Sequence, residues 1–238
     1  MKKPKIKIQK IVSLTDKKIH LFTCVKSTNT LAPKYQIGDV LIAKCQTKGR
    51  GTHNRTFVSP LNKGIYMSLN IKPTSYFALA TPIVSVIIAE AIDKLIKVKT
   101  TIKWINDIYL NDKKICGILI ENKNFLTIGI GINLYHHKFK IKEASSIEDE
   151  TNEIIDINIL IANLINNIYY EFERLNDDLV KEYLAKYLDK SYVIGKKIKF
   201  VDDDMLYEVQ GINELGHLII KGNNETKEII TAKQYQIY

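Results

Sequence analysis

TIKWINDIYLNDKKICGILIE, residues 101–121, sets how this chain folds. Two apolar stretches, 101–110 and 114–121, flank Asn111-Asp112-Lys113, whose Asn and Asp tolerate the left-handed backbone of a tight turn. They read as two strands of a hairpin. Outward from it, 125–134 and the alternating 64–71 are further strands, as are 6–12, 20–25 and 40–45. Ser27-Thr28-Asn29-Thr30 is a capping cluster that opens a short helix. Apolar residues recur at helical spacing over 81–96, 157–175 and 178–188. After residue 189 the texture changes. Short strand-like pieces at 197–201, 206–212, 218–221 and 226–231 are separated by turns at 201–204, 214–216 and 222–224, the pattern of a small β-barrel. The expected division is a main domain over 1–189 and a barrel over 190–238.

The chain has 238 residues and a formal charge of +9. No helix-turn-helix, zinc-finger or RNA-binding pattern accompanies that charge. An acidic protein partner or a polyphosphate explains it as well as nucleic acid does. Cys24, Cys45 and Cys116 are odd in number and form no CxxC pair. This argues against a disulfide framework and for a reducing cytoplasm, with all three as small core residues. His136-His137 alone is weak support for a metal site. The basic first ten residues lack the apolar core of a signal peptide, and 78–96 is too short and too charged to span a bilayer.

Only three arginines stand against thirty-two lysines, and two of them share the loop Gly49-Arg50-Gly51-Thr52-His53-Asn54-Arg55. Arginine offers a planar fork of donors that grips carboxylate or phosphate two oxygens at a time, which an ammonium cannot do. No Asp or Glu occurs over 40–89, so the region is locally positive. The loop is suited to an anion; the plainer alternative is a tight hairpin with solvated charges.

Lys103-Trp104-Ile105-Asn106-Asp107 contains the only Trp. On a strand, Lys103, Ile105 and Asp107 face one way and Trp104 and Asn106 the other. Lysine, aspartate and asparagine together suit a polyphosphate and its Mg²⁺, with Asp107 as the carboxylate nearest the metal; a strand end with a surface ion pair is the plainer reading. Lys114 can reach back over the neighbouring strand. Gly129-Ile130-Gly131-Ile132-Asn133 places glycines within a strand, which suggests close approach of a ligand or another backbone. It is no dinucleotide fingerprint, because no third, helix-opening glycine follows. Gln46 ends a strand just before the Arg loop.

Taken in order, Ser27-Thr28-Asn29, Gln46, GRGTHNR with the following Phe57-Val58-Ser59-Pro60, GIYMSL (64–69), residues 103–121 and GIGIN (129–133) resemble the biotin protein ligases. The resemblance covers most of 27–134 and continues more weakly through the C-terminal segment. It implies an α/β (α+β) fold: a mixed, mostly antiparallel sheet with flanking helices, like the catalytic core of class II aminoacyl-tRNA synthetases, followed by an SH3-like barrel. It also implies an ATP- and Mg²⁺-dependent ligase, which activates biotin as biotinyl-5′-AMP and transfers it to a lysine of a carboxylase's biotin carrier domain.

By motif position, Ser27, Thr28, Asn29 and Gln46 line the biotin head-group site, and Gly117 belongs to the biotin site. Arg50, Gly51 and Thr52 cover the biotin carboxylate and the phosphate. Lys114 stands nearest the bond being made, so Lys114 and Arg50 are the expected catalytic pair. Arg50, Arg55, Phe57, Lys103, Trp104, Asn106, Asp107 and Asn133 are the expected ATP contacts, with Asn133 at the adenine and Asp107 at Mg²⁺. Relative to the family, Thr52 replaces the second loop Arg, Asn54 a Gly, Phe57 a Trp and Ile105 a Pro. Loss of the cation at position 52 implies weaker retention of the adenylate and less selective labelling of lysines.

The first motif begins at Ser27, so a ligase without an N-terminal DNA-binding domain, and without repressor function, is expected. A cytoplasmic protein with no membrane or nucleic-acid partner follows, and a homodimer stays open because the family has both monomers and dimers. The alternatives are a lipoate–protein ligase, the same chemistry on another acid, and a non-catalytic basic binding protein.

Overall fold

In the computed structural model, residues 3–139, 141–201, 203–223, 225–230 and 235–238 are described. Asp202 and Asn224, read as turn residues, Thr231, read as a strand end, and Met1 and Lys2 lie outside them.

The chain forms a seven-stranded mixed sheet and a five-stranded antiparallel one. The first is built from β1 (Lys18–Phe22), β2 (Asp39–Ala43), β3 (Gly64–Ile71), β4 (Thr101–Lys103), β5 (Asp107–Leu110), β6 (Lys113–Asn122) and β7 (Leu126–Asn133). Its spatial order is β1-β2-β3-β7-β6-β5-β4, and only β1 and β2 run parallel. Helices α3 (Ala80–Asp93), α5 (Ile157–Glu173) and α6 (Asp177–Asp189) pack together against it, with the short α1 (Ile8–Val12) on α5. Their buried residues, such as Ile83, Ile87, Leu160, Leu164, Ile165 and Ile168, join those of the strands in one core. Among the described residues, no helix is long and apolar enough to cross a membrane.

β7 is buried from end to end, and its Gly-Ile alternation divides the two faces of the sheet. Ile128, Ile130 and Ile132 share one face. Gly129, Gly131 and Asn133 share the other, where Ser68 stands opposite Gly129 on β3 and Tyr66 opposite Gly131. On the other side, Leu119 pairs with Gly129 and Gly117 with Gly131, while Asp107 pairs with Gly117 across β5 and β6. Gly129, Gly131 and Gly117 therefore leave this face of the middle of the sheet without large side chains at three adjoining positions.

Three expectations need correction. Residues 6–12 form no strand: Ile8, Ile11 and Val12 fall at helical spacing and close the single helical turn of α1, burying Ile11. The strand over 101–110 is broken. A turn at 104–106, with a cis peptide between Trp104 and Ile105, folds β4 back on β5, so that Lys103 and Asp107 are cross-strand partners. The expected hairpin between β5 and β6 is present, with Asn111 and Asp112 both at positive φ.

The third correction concerns the cysteines. Cys24 and Cys45 form a disulfide, and only Cys116 is free and buried. β1 and β2 pair in parallel at an offset of twenty-one residues, from Lys18↔Asp39 to Phe22↔Ala43, and the same offset continues to Cys24 and Cys45. A parallel pairing leaves no local signature in the sequence, so counting and spacing could not reveal it. The cysteine argument for a reducing compartment falls with it. A link closing a loop of this length contributes about 3 kcal/mol by restricting the unfolded chain. Cys24→Ser is expected to lower stability by about that amount. Thermal melts with and without reductant check this: the reductant should shift the parent protein and leave the variant unchanged.

The second sheet comprises β8 (Lys197–Phe200), β9 (Leu206–Ile212), β10 (Leu218–Gly222), β11 (Glu225–Ile229) and β12 (Tyr235–Ile237), in the order β11-β10-β9-β8-β12. It clamps the 104–106 turn. Trp104 Nε1 donates to the Gly216 carbonyl at 3.0 Å, and the Tyr235 hydroxyl donates to the Trp104 carbonyl at 3.0 Å. From α6, the Tyr187 hydroxyl donates to the Ile105 carbonyl at 3.1 Å.

Candidate active site

The Arg loop folds as a tight hairpin. Arg50 and Thr56 bridge as antiparallel partners, and Gly51 N–H donates to the Arg55 carbonyl at 2.8 Å. His53 and Asn54 at its tip both take positive φ. Asn is the non-glycine residue best suited to that conformation, which explains how Asn54 stands where the family has Gly. Gly49 cannot be larger, since a Cβ there would lie 2.3 Å from the Phe57 carbonyl oxygen.

Phe57 returns from the loop onto the glycine row. A Cβ on Gly131 would meet its ring at 2.6 Å, and one on Gly129 would meet the Asn29 side-chain oxygen at 2.0 Å. The expected close approach is therefore real, but two side chains of this chain make it: the strand gives up its side chains so that a ring and an amide can lie on it.

Between loop and sheet is a cavity of about 330 Å³. Of the expected site residues, Ser27, Thr28, Asn29, Gln46, Arg50, Gly51, Thr52, Arg55, Phe57, Asn106, Lys114, Gly117 and Asn133 line it. These come from α2 (Thr28–Leu31) and its N-cap Ser27, from the segment after β2, from the loop, from the 104–106 turn and from β6 and β7.

At one end, Lys114 Nζ lies 2.6 Å from Asp107 Oδ1, both side chains being mostly buried. The Lys114 backbone is fixed on its other side by residues 143–145: its N–H donates to the Glu143 carbonyl and its carbonyl accepts from Ser145 N–H. Asn133 Nδ2 donates to the Ser145 carbonyl at 3.0 Å, which anchors the same segment. Asn106 Nδ2 donates to the Ile118 carbonyl at 2.9 Å, pinning the turn to β6.

At the other end a hydrogen-bond chain runs across the floor. Gln46 Oε1 accepts from Thr28 N–H at 2.8 Å and from the Thr28 hydroxyl at 3.2 Å, and Gln46 Nε2 donates to Ser59 Oγ at 2.9 Å. Ser68 Oγ donates to Asn29 Oδ1 at 2.6 Å. Asn29 Nδ2 donates to the Leu119 carbonyl and to Glu121 Oε2. Both ends of the Asn29 amide are thus engaged by the protein itself.

Three expected residues do not line the cavity. Asp107 reaches it through Lys114. Lys103 Nζ lies over the Tyr109 and Tyr235 rings, at 5.5 and 5.1 Å from their centroids, and burial pushes its ammonium below its ordinary value. Trp104 is in the core, 3% exposed, as a buttress beneath the turn. Arg50 and Lys114 line the same cavity, and the Arg50 guanidinium pairs with Glu121, seven residues along β6 from Lys114.

Residues that the sequence reading missed include His137, Phe139, Ile141 and Ala144 on the wall after β7, and Thr56, Val58, Met67, Ile118 and Leu119. His137 and Phe139 pack ring to ring at 4.1 Å, and burial pushes the His137 imidazole below its usual value. No motif marked this wall; the signal available was its position just after GIGIN. Glu121 was quoted only as the last letter of a motif. Among the described residues, no cluster of three or more His, Cys, Asp or Glu could hold a metal by itself.

Comparison with known proteins agrees with this geometry. Residues 21–133 match the family model described as the Biotin/lipoate A/B protein ligase family. Over 199 residues the chain is 28% identical to the bifunctional ligase/repressor BirA of Escherichia coli, covering 77% of this chain and 62% of that protein. It thus spans less than two thirds of that relative's length. The biotin–[acetyl-CoA-carboxylase] ligase of Mycobacterium tuberculosis is 24% identical over 79% of this chain and 75% of its own. Among solved structures, the biotin protein ligase from Aquifex aeolicus, in complex with biotin and ATP, superposes with a TM-score of 0.84. That match covers 93% of this chain and all of the other at 24% identity, and it shows a shared fold. The glycine rows, the Arg loop and all of the mixed sheet but the first residues of β1 lie inside residues 21–133, the part of this chain that matches the biotin/lipoate A/B protein ligase family.

Proposed function

We propose that this protein is a biotin–protein ligase, which joins biotin to ATP and passes the biotinyl group to a lysine of a biotin carboxyl carrier domain. The observation that carries the proposal is the cavity between loop and sheet. It has a cation, Lys114, held by Asp107 at one end, and an amide and hydroxyl floor, Thr28, Gln46 and Ser27, at the other. A cyclic urea with a carboxylate tail has that polarity: a hydrogen-bonding head and an anionic end.

The biotin carboxylate oxygen attacks the α-phosphorus of ATP, the bond to the β-phosphate oxygen breaks, and pyrophosphate leaves. The carrier lysine's amine then attacks the carbonyl of the mixed anhydride, loses its proton and expels AMP. Lys114 offsets negative charge where carboxylate and phosphate, both anions, must meet. Arg55 and Arg50 are the loop cations available to the nucleotide and the acid. Phe57 offers a ring face to the base, and Asn133 borders the adenine side. The loop covers the anhydride from water until the carrier arrives. Lys103, held between tyrosine rings, steadies the strand pair that carries Asp107.

Mg²⁺ fits as a passenger of the nucleotide. It favours one or two carboxylates plus substrate phosphates over an all-protein cage. Asp107, whose carboxylate pairs with Lys114 at the edge of the cavity, would be the residue to hold it, and the ion would supply charge neutralisation on the phosphates.

The division into 1–189 and 190–238 is part of this proposal, supported by the start of the second sheet at Lys197. So is the carrier partner, supported by the carboxylase ligase of M. tuberculosis among the relatives. An ATP-consuming reaction on a metabolic carrier suits a cytoplasmic location.

The test is pyrophosphate release with ATP and Mg²⁺, adding biotin or lipoate in turn. Release with biotin supports the reading. Release with lipoate alone keeps the chemistry and changes the acid, and release with neither overturns it.

Thr52 bears on the second step. Its hydroxyl accepts from Arg55 Nη2 at 2.9 Å, so it steadies Arg55 and offers no charge of its own. Thr52→Arg is expected to slow dissociation of the adenylate by about tenfold, the worth of one charge-assisted hydrogen bond. Filter-trapped labelled adenylate measures it; an unchanged rate removes residue 52 from retention.

A further inference from the structure

Glu121 has no part in the motif-based assignment of the site, yet it is where the Arg loop meets the sheet. Arg50 Nη1 donates to Glu121 Oε2 at 2.9 Å and Nη2 to Oε1 at 3.0 Å, a two-point contact that fixes orientation as well as distance. The same Oε2 accepts from Asn29 Nδ2 at 3.1 Å. Asn29 is held from its other end by Ser68, whose hydroxyl also lies 2.8 Å from the Thr28 hydroxyl. Thr28 in turn holds Gln46. The side-chain bonds of Arg55 stay inside the loop, on Thr52, whereas those of Arg50 cross to β6.

A second hollow of about 110 Å³ lies beyond, lined by Asn29, Pro33, Glu121, Lys123, Asn124, Phe125 and Thr127. Asn29 borders both spaces, so Arg50, Glu121 and Asn29 form the partition between them.

We propose that Glu121 is a positioning residue for the head-group end of the cavity: its carboxylate ties Arg50 to Asn29, holds the Arg loop down over the site and fixes the wall against which biotin packs. It acts through these two residues and touches no reacting atom. The role in acid binding rests on the ligase reading above; the tie between loop and sheet does not. Arg50 is 44% exposed in its side chain, so the tie weakens with salt, whereas the apolar packing around it does not.

The test compares the full chain with Glu121→Gln and Glu121→Ala. Gln keeps an acceptor for Asn29 and loses the charged two-point grip. Hydrogen exchange over residues 49–56, without any ligand, is expected to speed up about tenfold in Glu121→Gln, with exchange in β3 and β7 unchanged. High salt should speed the parent loop and leave the Gln variant as it was. In pyrophosphate release, KM for biotin should rise about fivefold, with kcat and KM for ATP within twofold of the parent, and Glu121→Ala should show the same split more strongly. Unchanged loop exchange in both variants overturns the proposal. So does a rise in KM for ATP equal to that for biotin. If the parent releases no pyrophosphate with biotin, the ligase reading fails, and the exchange measurement still decides whether Glu121 holds the loop.

Discussion

Lys114→Ala is expected to lower kcat/KM for biotin-dependent pyrophosphate release by about 10²–10³-fold, the loss typical of one preorganised charge-stabilising donor. The side chain is mostly buried, its backbone is fixed on both sides by β5 and residues 143–145, and its ammonium is aimed by Asp107 at 2.6 Å. A cation so placed needs little reorganisation when two anions approach each other. Truncation removes that charge and leaves Asp107 as an unscreened anion in the path of the phosphates, so the variant is worse than a neutral site. Lys114→Ala with Asp107→Asn separates the two roles of Asp107: partial recovery means that its charge acts only through Lys114, and a further fall means that it also holds Mg²⁺. Thermal melts of both variants separate chemistry from folding. A singly substituted protein that melts lower yet turns over at the parental rate would take Lys114 out of the reaction.

Gly129→Ala should do nearly as much damage by a different route. The added methyl would sit 2.0 Å from Asn29 Oδ1, 2.6 Å from Cγ and 2.8 Å from Nδ2, so the whole amide has to move. It has nowhere to go while Ser68, Leu119 and Glu121 hold it. Gly129 also lies in a strand paired on both sides and fully buried, where overpacking costs about 1–3 kcal/mol. The expected result is a stability loss of that size, with KM for biotin raised more than tenfold and KM for ATP changed less. Gly211→Ala is the matched control: a Cβ there meets nothing within 4 Å, so it should be neutral in both assays. Parental biotin affinity in Gly129→Ala would show that the Asn29 amide is dispensable to the acid site.

Much of the site was legible because its signals are local. The Arg loop, the turn at Asn111-Asp112, the cap at Ser27 and the glycine alternation of β7 each state their own geometry within a few residues. Together with the family resemblance they singled out thirteen residues that line the cavity. Other features were not legible, for one shared reason. The 101–110 strand was misjudged because the partners of Trp104 are a carbonyl at residue 216 and a hydroxyl at residue 235, more than a hundred residues away. The wall formed by His137, Phe139, Ile141 and Ala144 has no motif of its own.

The sequence by itself determined most of the elements, the concentration of arginine in one loop and the family that those motifs resemble, since propensity, periodicity and residue chemistry act over short stretches. Only the tertiary structure decided that Cys24 meets Cys45, that Trp104 supports the site from beneath, and that the Arg50 fork is held by Glu121. Each of these is a pairing across many residues of chain. Such pairings are fixed by the register of strands and by which buried polar groups find partners, and neither can be read until the sheet is assembled.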